Sequence, residues 1–363
     1  MPNNLLSIIV PILNESDLLL KFLDGLSCQE FCELEVIFCD GGSWDDSVQL
    51  VKRAQSSYGF PVKLISSQPG RGKQMNAGAK AASGSWYLFM HIDSMFEEPR
   101  ALMLALSMLQ REKLLPGQKP AAGHFQLRFQ RKEQKPSFSY FFYESKSRLD
   151  LPDCIHGDQG LMLNRSFFEE LGGFEEHLPF LEDSALVDRV NESGRWVLLP
   201  SVLTTSARRF EMEGLRARQT LNALIMNFRY IGWQRFFDEL PGIYRQQTEA
   251  LPLDLLPFWL KIRELLSAMS FKRQWQLWLA TGGYVRSQAW QLLYAWHCYA
   301  QFRHGQMAIL SSDEILERMT GFERITSNPI GRFISALLVW CWFHLTYLFL
   351  LKRYFKYSRT KAT

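Results

Sequence analysis

Ser85-Trp86-Tyr87-Leu88-Phe89-Met90-His91-Ile92-Asp93-Ser94 is an apolar run that stops abruptly on polar side chains. An unbroken apolar and aromatic run of this length reads as a buried strand, because a parallel strand covered on both faces need not alternate. In open α/β sheets the ligand crevice lies outside the carboxyl ends of the strands. A strand ending here therefore delivers the Asp93 carboxylate to a ligand edge. The competing reading is that Asp93 only caps the turn into the next segment.

Working back from this run, Leu5 to Pro11, Leu34 to Cys39 and Val62 to Ile65 read as three further strands. Helices are expected between them, from Asp17 to Leu26, Asp45 to Ser56 and Lys73 to Ala82. Strands alternating with helices of about ten residues make βαβ units and a parallel sheet. Working forward, a helix from Arg100 to Leu109 is followed by a change of pattern. His124 to Phe129 alternates like an edge strand of a mixed sheet, and Phe138 to Leu149 looks helical. Cys154 to Asn164 reads as loop and strand, and Ser166 to Gly173 as a helix closed by glycine. Leu181-Glu182-Asp183 opens a further helix, to about Glu192, and Trp196 to Val202 is a last strand. From Leu215 the chain reads as helix after helix. The expected division is an α/β domain over 1–214 and an all-α extension over 215–363.

The 363 residues are 47% hydrophobic, ample for one large core or two modest ones. Residues 211–363 carry a net charge of +8 and residues 1–210 one of −4. No basic helix interleaved with stacking aromatics is visible, so nucleic acid is not an expected partner. The six cysteines are scattered, without C-x-x-C or zinc spacing, and read as free thiols of a reducing compartment. Met1-Pro2-Asn3-Asn4 offers no basic stretch ahead of its apolar run, so no signal peptide is expected. A cytoplasmic protein is the implied reading.

Three strand ends bring polar groups to one sheet edge: Asn14-Glu15, Asp40 and Asp93. A carboxylate such as Asp40 can accept from a ribose hydroxyl. The dinucleotide fingerprint G-x-G-x-x-G is missing after the first strand, as is the P-loop, which excludes an ordinary Rossmann dehydrogenase and a P-loop enzyme. Gly70-Arg71-Gly72-Lys73 puts positive charge and N–H groups at a helix start, which suits a phosphate, or else is a solvated basic turn.

Ile8-Ile9-Val10-Pro11-Ile12-Leu13-Asn14-Glu15, Asp40-Gly41-Gly42-Ser43-Trp44-Asp45-Asp46-Ser47 and His91-Ile92-Asp93, in this order and spacing, resemble a family 2 glycosyltransferase of the GT-A fold. A narrower resemblance, to the small glycosyltransferases associated with radical-SAM and selenium-domain proteins, some assigned to arsenosugar biosynthesis, rests on four stretches. They are Gly70 to Gly78, Gly157-Asp158-Gln159-Gly160, Leu181-Glu182-Asp183 and Ser206-Ala207-Arg208-Arg209. The resemblance covers residues 5–212. It implies a GT-A nucleotide-diphospho-sugar transferase fold with a mostly parallel, Rossmann-like sheet. It also implies transfer from a nucleotide-sugar donor to an acceptor hydroxyl by inverting single displacement. Asp40 would hold the donor nucleoside, with Pro11, Asn14 and Glu15 lining the same pocket and Arg71 near the nucleotide. His91-Ile92-Asp93 takes the place of the family's D-x-D, so Asp93, with His91 beside it, would hold Mn²⁺ or Mg²⁺ at the diphosphate. His91 in place of an acid departs from the family pattern. Arg208 and Arg209 would meet the leaving diphosphate. Asp183 would be the base and Glu182 would act with it or orient the acceptor. His156, Gly157, Asp158 and Gln159 would line the acceptor side. The rival readings are a sugar-phosphate nucleotidyltransferase, for which Ile12-Leu13-Asn14-Glu15 lacks the expected Gly-rich basic loop, and a catalytically degenerate nucleotide-sugar-binding or scaffold protein, suggested by His91.

Ile334 to Leu351 is uncharged and flanked by Arg332 and Lys352-Arg353-Tyr354-Phe355-Lys356. It meets the minimum of ~17–25 residues for a spanning helix. A single span would set the cationic tail and the catalytic part on opposite sides of the bilayer. A peripheral or monotopic segment over 333–357, at the cytoplasmic face of the inner or plasma membrane, fits better. The alternative is a helix buried in an all-α domain or a dimer interface. A basic, aromatic rear surface points to a lipid-linked or amphiphilic acceptor.

Overall fold

The computed structural model describes residues 5–30, 32–133, 135–151, 153–245, 252–307 and 310–361. The four N-terminal residues, on which the expectation of no leader rests, lie outside them, as do the side chains of Arg359 and Lys361. The chain forms two compact units, 1–206 and 207–363.

The first unit is built on one eight-stranded sheet. Its strands are β1 (Leu6–Ile12), β2 (Leu34–Asp40), β3 (Val62–Ser66), β4 (Trp86–Phe89), β5 (Ser94–Phe96), β6 (Ala121–Gln130), β7 (Leu161–Asn164) and β8 (Arg195–Ser206). Their spatial order is β3-β2-β1-β4-β7-β6-β8-β5. β1 to β4 are mutually parallel, and β7 pairs antiparallel with β4. The helices are α1 (Ser16–Ser27), α2 (Ser47–Ala54), α3 (Arg71–Ala81), α4 (Ala101–Leu114), α5 (Phe138–Lys146), α6 (Arg165–Glu170) and α7 (Glu182–Ser193).

Every residue of β2 is buried, as is all of β1 except the half-buried Pro11. This is the burial a parallel strand between two layers requires. α1 covers the sheet with Leu19, Phe22, Leu23 and Leu26, a single helical face. α3 lies so close that a Cβ on Gly78 would stand 2.5 Å from Cys39 Sγ and 2.6 Å from Ile9 Cγ2. Only glycine fits there. Tyr87, Phe89, Phe168 and Phe174 pack at centroid distances of 4.8–6.0 Å around Phe89 and Phe168. Each such ring contributes roughly 1.5–3 kcal/mol by burial.

Two details differ from expectation. β4 stops at Phe89, where its last partners are Ile9 and Leu161. Met90 N–H still donates to Ile9 O, Ser94 N–H closes a turn onto His91 O, and the chain re-enters the sheet as β5, antiparallel to β8. Asp93 therefore lies in a tight turn between two strands, not at a strand tip. The second difference is β6, which is interior. It pairs antiparallel with β7 and parallel with β8, and β5 takes the edge.

The second unit is all helical: α8 (Arg208–Glu213), α9 (Leu215–Tyr230), α10 (Gln234–Arg245), α11 (Leu256–Ser267), α12 (Phe271–Ser287), α13 (Trp290–Arg303), α14 (Ser312–Thr326) and α15 (Pro329–Lys361). It begins at 207, earlier than the expected 215, because α8 is tied into it. Glu213 accepts from Tyr244 Oη at 2.5 Å and pairs with Arg218 at 3.3 Å. α15 packs one face only. Trp259 of α11 stacks on Phe343 and donates from Nε1 to its carbonyl at 3.0 Å. A Cβ on Gly282 of α12 would stand 2.4 Å from Ala336 N, so α12 and α15 cross with their backbones touching. The other face of α15 is exposed: Leu338, Leu345 and Phe349 are about two-thirds accessible, at 65%, 66% and 65%. Within this unit the fully buried alternative for α15 is thus overturned. Among the described residues one helix, over Pro329–Lys356, is long and apolar enough to cross a membrane.

Candidate active site

The carboxyl ends of β1 and β2 are stitched into one ledge. Gln74 of α3, buried, donates from Nε2 to Ile12 O at 2.9 Å and to Cys39 O at 2.7 Å. Asp40 at the end of β2 is buried, and its carboxylate accepts from Gly42 N–H at 3.2 Å and Ser43 N–H at 3.0 Å. A carboxylate has about four acceptor positions, so capacity remains for a ligand hydroxyl. Asn14, at φ 56, accepts from Trp44 N–H at 2.9 Å, and its own N–H donates to Ser43 Oγ. Glu15 N–H donates to Ser47 Oγ at 2.8 Å. Pro11 sits where β1 has already lost β4 as a neighbour, so its missing N–H leaves no ladder bond unmade. Pro11, Asn14, Glu15 and Asp40 thus meet on one ledge, together with Gln74, a member of the quoted motif whose stitching role its sequence did not reveal.

The second half of the site gathers around the start of α7. Leu181 has φ 68, a left-handed conformation that costs a branched side chain about 1–2 kcal/mol. It aims Glu182 and Asp183 from the first turn of the helix. Asp183 Oδ2 accepts from Gly157 N–H and Oδ1 from Ser184 N–H, both at 2.7 Å. Gly157 opens the 3₁₀ turn Gly157–Gln159, and a Cβ there would press on the Asp183 carboxylate at 3.1 Å. Gly72 of α3 is equally confined, with Glu175 O at 2.8 Å and Glu182 Cβ at 3.5 Å from a would-be Cβ. This brings the head of α3, with Arg71, against the head of α7.

The charges in this half are strongly coupled. Burial works to raise Asp183, but His156, the Gly157 and Ser184 N–H groups and Arg71 outweigh it, holding the carboxyl below its ordinary range. Burial and then the Asp183 charge push Glu182 up to about 7, against the pull of Arg71. Burial pushes Asp158 up as well, reinforced by Asp183 and Asp93 and opposed by His156. The expected residues Arg71, Asp93, His156, Asp158, Glu182 and Asp183 therefore share one electrostatic cluster. His91 is half-buried in the same turn as Asp93.

Gln159 departs from its expected place on the acceptor side. It is buried, donates from Nε2 to Cys154 O at 2.5 Å and faces His124 Nδ1 with Oε1 at 2.8 Å. His124 is fully buried beneath the turn. Arg208 and Arg209 open α8. Both are exposed, and Arg209 bonds Glu213 Oε1 at 3.1 Å and Tyr244 Oη at 2.5 Å.

The resemblance implies a divalent cation. Among the described residues no three His, Cys, Asp or Glu side chains gather as a metal cage. Hard cations need only one or two carboxylates where substrate phosphates supply the rest. Asp93 and Asp183 both act on Asp158, whose Oδ1 is buried without a hydrogen-bond partner among the described residues. An unpartnered buried carboxyl oxygen beside Asp93 suits such an ion.

Residues 7–172 match the family described as glycosyl transferase family 2. A Haemophilus influenzae protein named an uncharacterized glycosyltransferase is 27% identical over 203 residues, 49% of this chain and 59% of that protein. The Staphylococcus aureus poly(ribitol-phosphate) beta-N-acetylglucosaminyltransferase TarS is 32% identical over 90 residues, 24% of this chain and 16% of that one. The chain thus spans less than two thirds of the length of these relatives. The solved mannosyltransferase PcManGT of Pyrobaculum calidifontis, in complex with GDP-Man and Mn²⁺, aligns over 93% of this chain and 87% of its own with 17% identity and a TM-score of 0.49.

Proposed function

We propose, from an α/β unit that carries a glycosyl transferase family 2 domain over residues 7–172, that the protein is a glycosyltransferase. It moves a sugar from a nucleotide-sugar donor to an acceptor hydroxyl, with inversion in one displacement. The observation that carries this reading is the Asp183 carboxylate at the head of α7, with Oδ2 on the Gly157 N–H and Oδ1 on the Ser184 N–H, both at 2.7 Å. Burial works to raise it, but His156, those N–H groups and Arg71 hold it below its ordinary range, while burial raises Glu182 and Asp158 beside it.

Asp183 takes the acceptor hydroxyl's proton as the new C–O bond forms and the bond to the diphosphate oxygen breaks. A positioned base of this kind contributes roughly 10²–10⁴-fold. Asp40 accepts from the donor's ribose, in a pocket with Pro11, Asn14 and Glu15. Arg71 meets the negative charge that develops on the leaving group. Asp93, with His91 beside it, would hold a divalent ion, Mn²⁺ or Mg²⁺, whose chemistry when bound is to neutralise the diphosphate. The acceptor enters past His156, Gly157 and Asp158. The narrower likeness to radical-SAM-associated glycosyltransferases rests on the motif residues alone. The named ligands of structural neighbours, GDP-Man and UDP-GlcNAc, give the donor class to screen.

The helical unit, in this reading, rests on the cytoplasmic face of a membrane and serves a lipid-linked or amphiphilic acceptor. What supports this is α15, whose packed face engages α11 and α12 while its apolar face is exposed and flanked by Arg332, Lys352, Arg353 and Lys356. An interfacial helix has this build.

The test is Asp183→Asn with a nucleotide-sugar panel. Donor binding, read as thermal stabilisation, is retained, while transfer and donor hydrolysis fall by roughly 10²–10⁴-fold. Wild-type protein that turns over no donor, with or without Mn²⁺, overturns the reading.

A further inference from the structure

His124 is fully buried, and both of its ring nitrogens are engaged. Nε2 lies 2.7 Å from Asp150 Oδ1 and Nδ1 lies 2.8 Å from Gln159 Oε1. The orientation of the Gln159 amide is fixed independently. Its Nε2 donates to Cys154 O, and a flipped amide would set two oxygens against each other at 2.5 Å. The partner of Nδ1 is therefore an acceptor. The partner of Nε2, a carboxylate oxygen, is an acceptor too. A neutral imidazole has one N–H and one lone pair and satisfies only one of them. With a carboxylate at Asp150, whose side chain is 43% exposed, both contacts are satisfied together only when both nitrogens carry protons.

We infer that His124 is held as a doubly donating imidazolium, paired with Asp150, that clamps the Gly157–Gln159 turn from below and so positions the base Asp183. The chain of contacts is short. His124 fixes Gln159, Gln159 ends the 3₁₀ turn, and Gly157 at its head donates to Asp183 Oδ2 at 2.7 Å. The edge of the Trp196 ring closes one side of the imidazole at a centroid distance of 6.0 Å. Asp150 supplies the balancing charge, since a buried cation is tolerated only when paired. His124 is thus a positioning residue, acting through the turn and touching no substrate. The role of Asp183 as base rests on the function proposed above; the protonation and clamping of His124 do not.

The experiment uses the full chain labelled with ¹⁵N-histidine. Long-range ¹H–¹⁵N spectra resolve the ring nitrogens of the seven histidines, and His124 is assigned by its loss in His124→Gln. At pH 7 both His124 nitrogens are expected at protonated shifts. In Asp150→Asn, a change at a partly exposed side chain, one nitrogen moves toward the unprotonated shift. A wild-type His124 with one unprotonated nitrogen at pH 7 overturns the inference. Amide exchange of the peptide containing Gly157 is expected to rise at least tenfold in Asp150→Asn, with β1 and α1 unchanged. Exchange that stays at the wild-type rate overturns the clamp. Transfer assays on the same variant separate the two proposals: a lowered kcat at constant donor KM supports positioning of the base. If wild-type protein transfers nothing, the proposed function falls while the ring-proton and exchange results still decide the clamp.

Discussion

Glu182→Gln isolates the cost of keeping two adjacent carboxylates in a dried site. Glu182 is buried, next to Asp183, and its carboxyl is raised from 4.5 to about 7. A raised carboxyl means that the folded chain binds a proton the unfolded chain releases. Below the unfolded value this favours folding in full. As pH climbs from about 4.5 through about 7 the advantage is lost, so stability falls with rising pH in that window. At about 1.4 kcal/mol per pKa unit, the change amounts to roughly 3 kcal/mol. Glutamine keeps the shape and carries no charge at any pH. The variant is therefore expected to match wild type near pH 4 and to exceed it by about 3 kcal/mol at pH 8. Urea titrations at both pH values, read by hydrogen exchange of the peptide spanning α7, measure this in the intact chain. Parallel wild-type and variant stabilities from pH 4 to 8 would refute the reasoning, because the Glu182 charge would then cost the fold nothing.

Adjacent glycines of α12 should respond with opposite sign. Gly283→Ala meets open space and gains about 1 kcal/mol of helix propensity. Gly282→Ala drives a Cβ into the backbone of Ala336, which outweighs that gain and lowers stability by roughly 1–3 kcal/mol; equal melting shifts would contradict the crossing described. Asp45 is opposed by burial but held down at about 2 by hydrogen bonds from Ser47 and Ser16. Its stabilisation is present above the unfolded value and lost as pH falls through about 2. Asp45→Asn therefore melts lower than wild type at pH 7, and the gap closes toward pH 2. Reversing Lys352, Arg353 and Lys356 to Glu preserves the packed face of α15 and should move the protein from sedimented anionic vesicles to the supernatant. Retention on the vesicles would count against membrane docking.

The parallel half of the sheet was legible because strands buried on both faces leave continuous apolar runs, and their carboxyl ends announced Asp40 and the region of Asp93. Sheet order was not legible. Whether β6 lies at the edge depends on β8, about 70 residues further along the chain, and a period-two pattern is the same in either place. The partners of His124 were not legible for a related reason. Asp150 and Gln159 stand 26 and 35 residues away in loop segments with no periodic signal. Gln159 was expected on the acceptor side with the other members of its motif, Gly157 and Asp158, yet a 3₁₀ turn sends successive side chains in different directions. Hydropathy located α15 but could not separate Phe343, packed on Trp259, from Leu345, which is exposed.

Leu181 has a bearing on how this protein responds to selection. Its left-handed backbone suits glycine or asparagine better than leucine, so a screen for heat resistance would favour replacing it. The replacement would also free the joint that aims Glu182 and Asp183. At this residue durability and turnover pull against each other, and variants enriched for one are expected to lose the other.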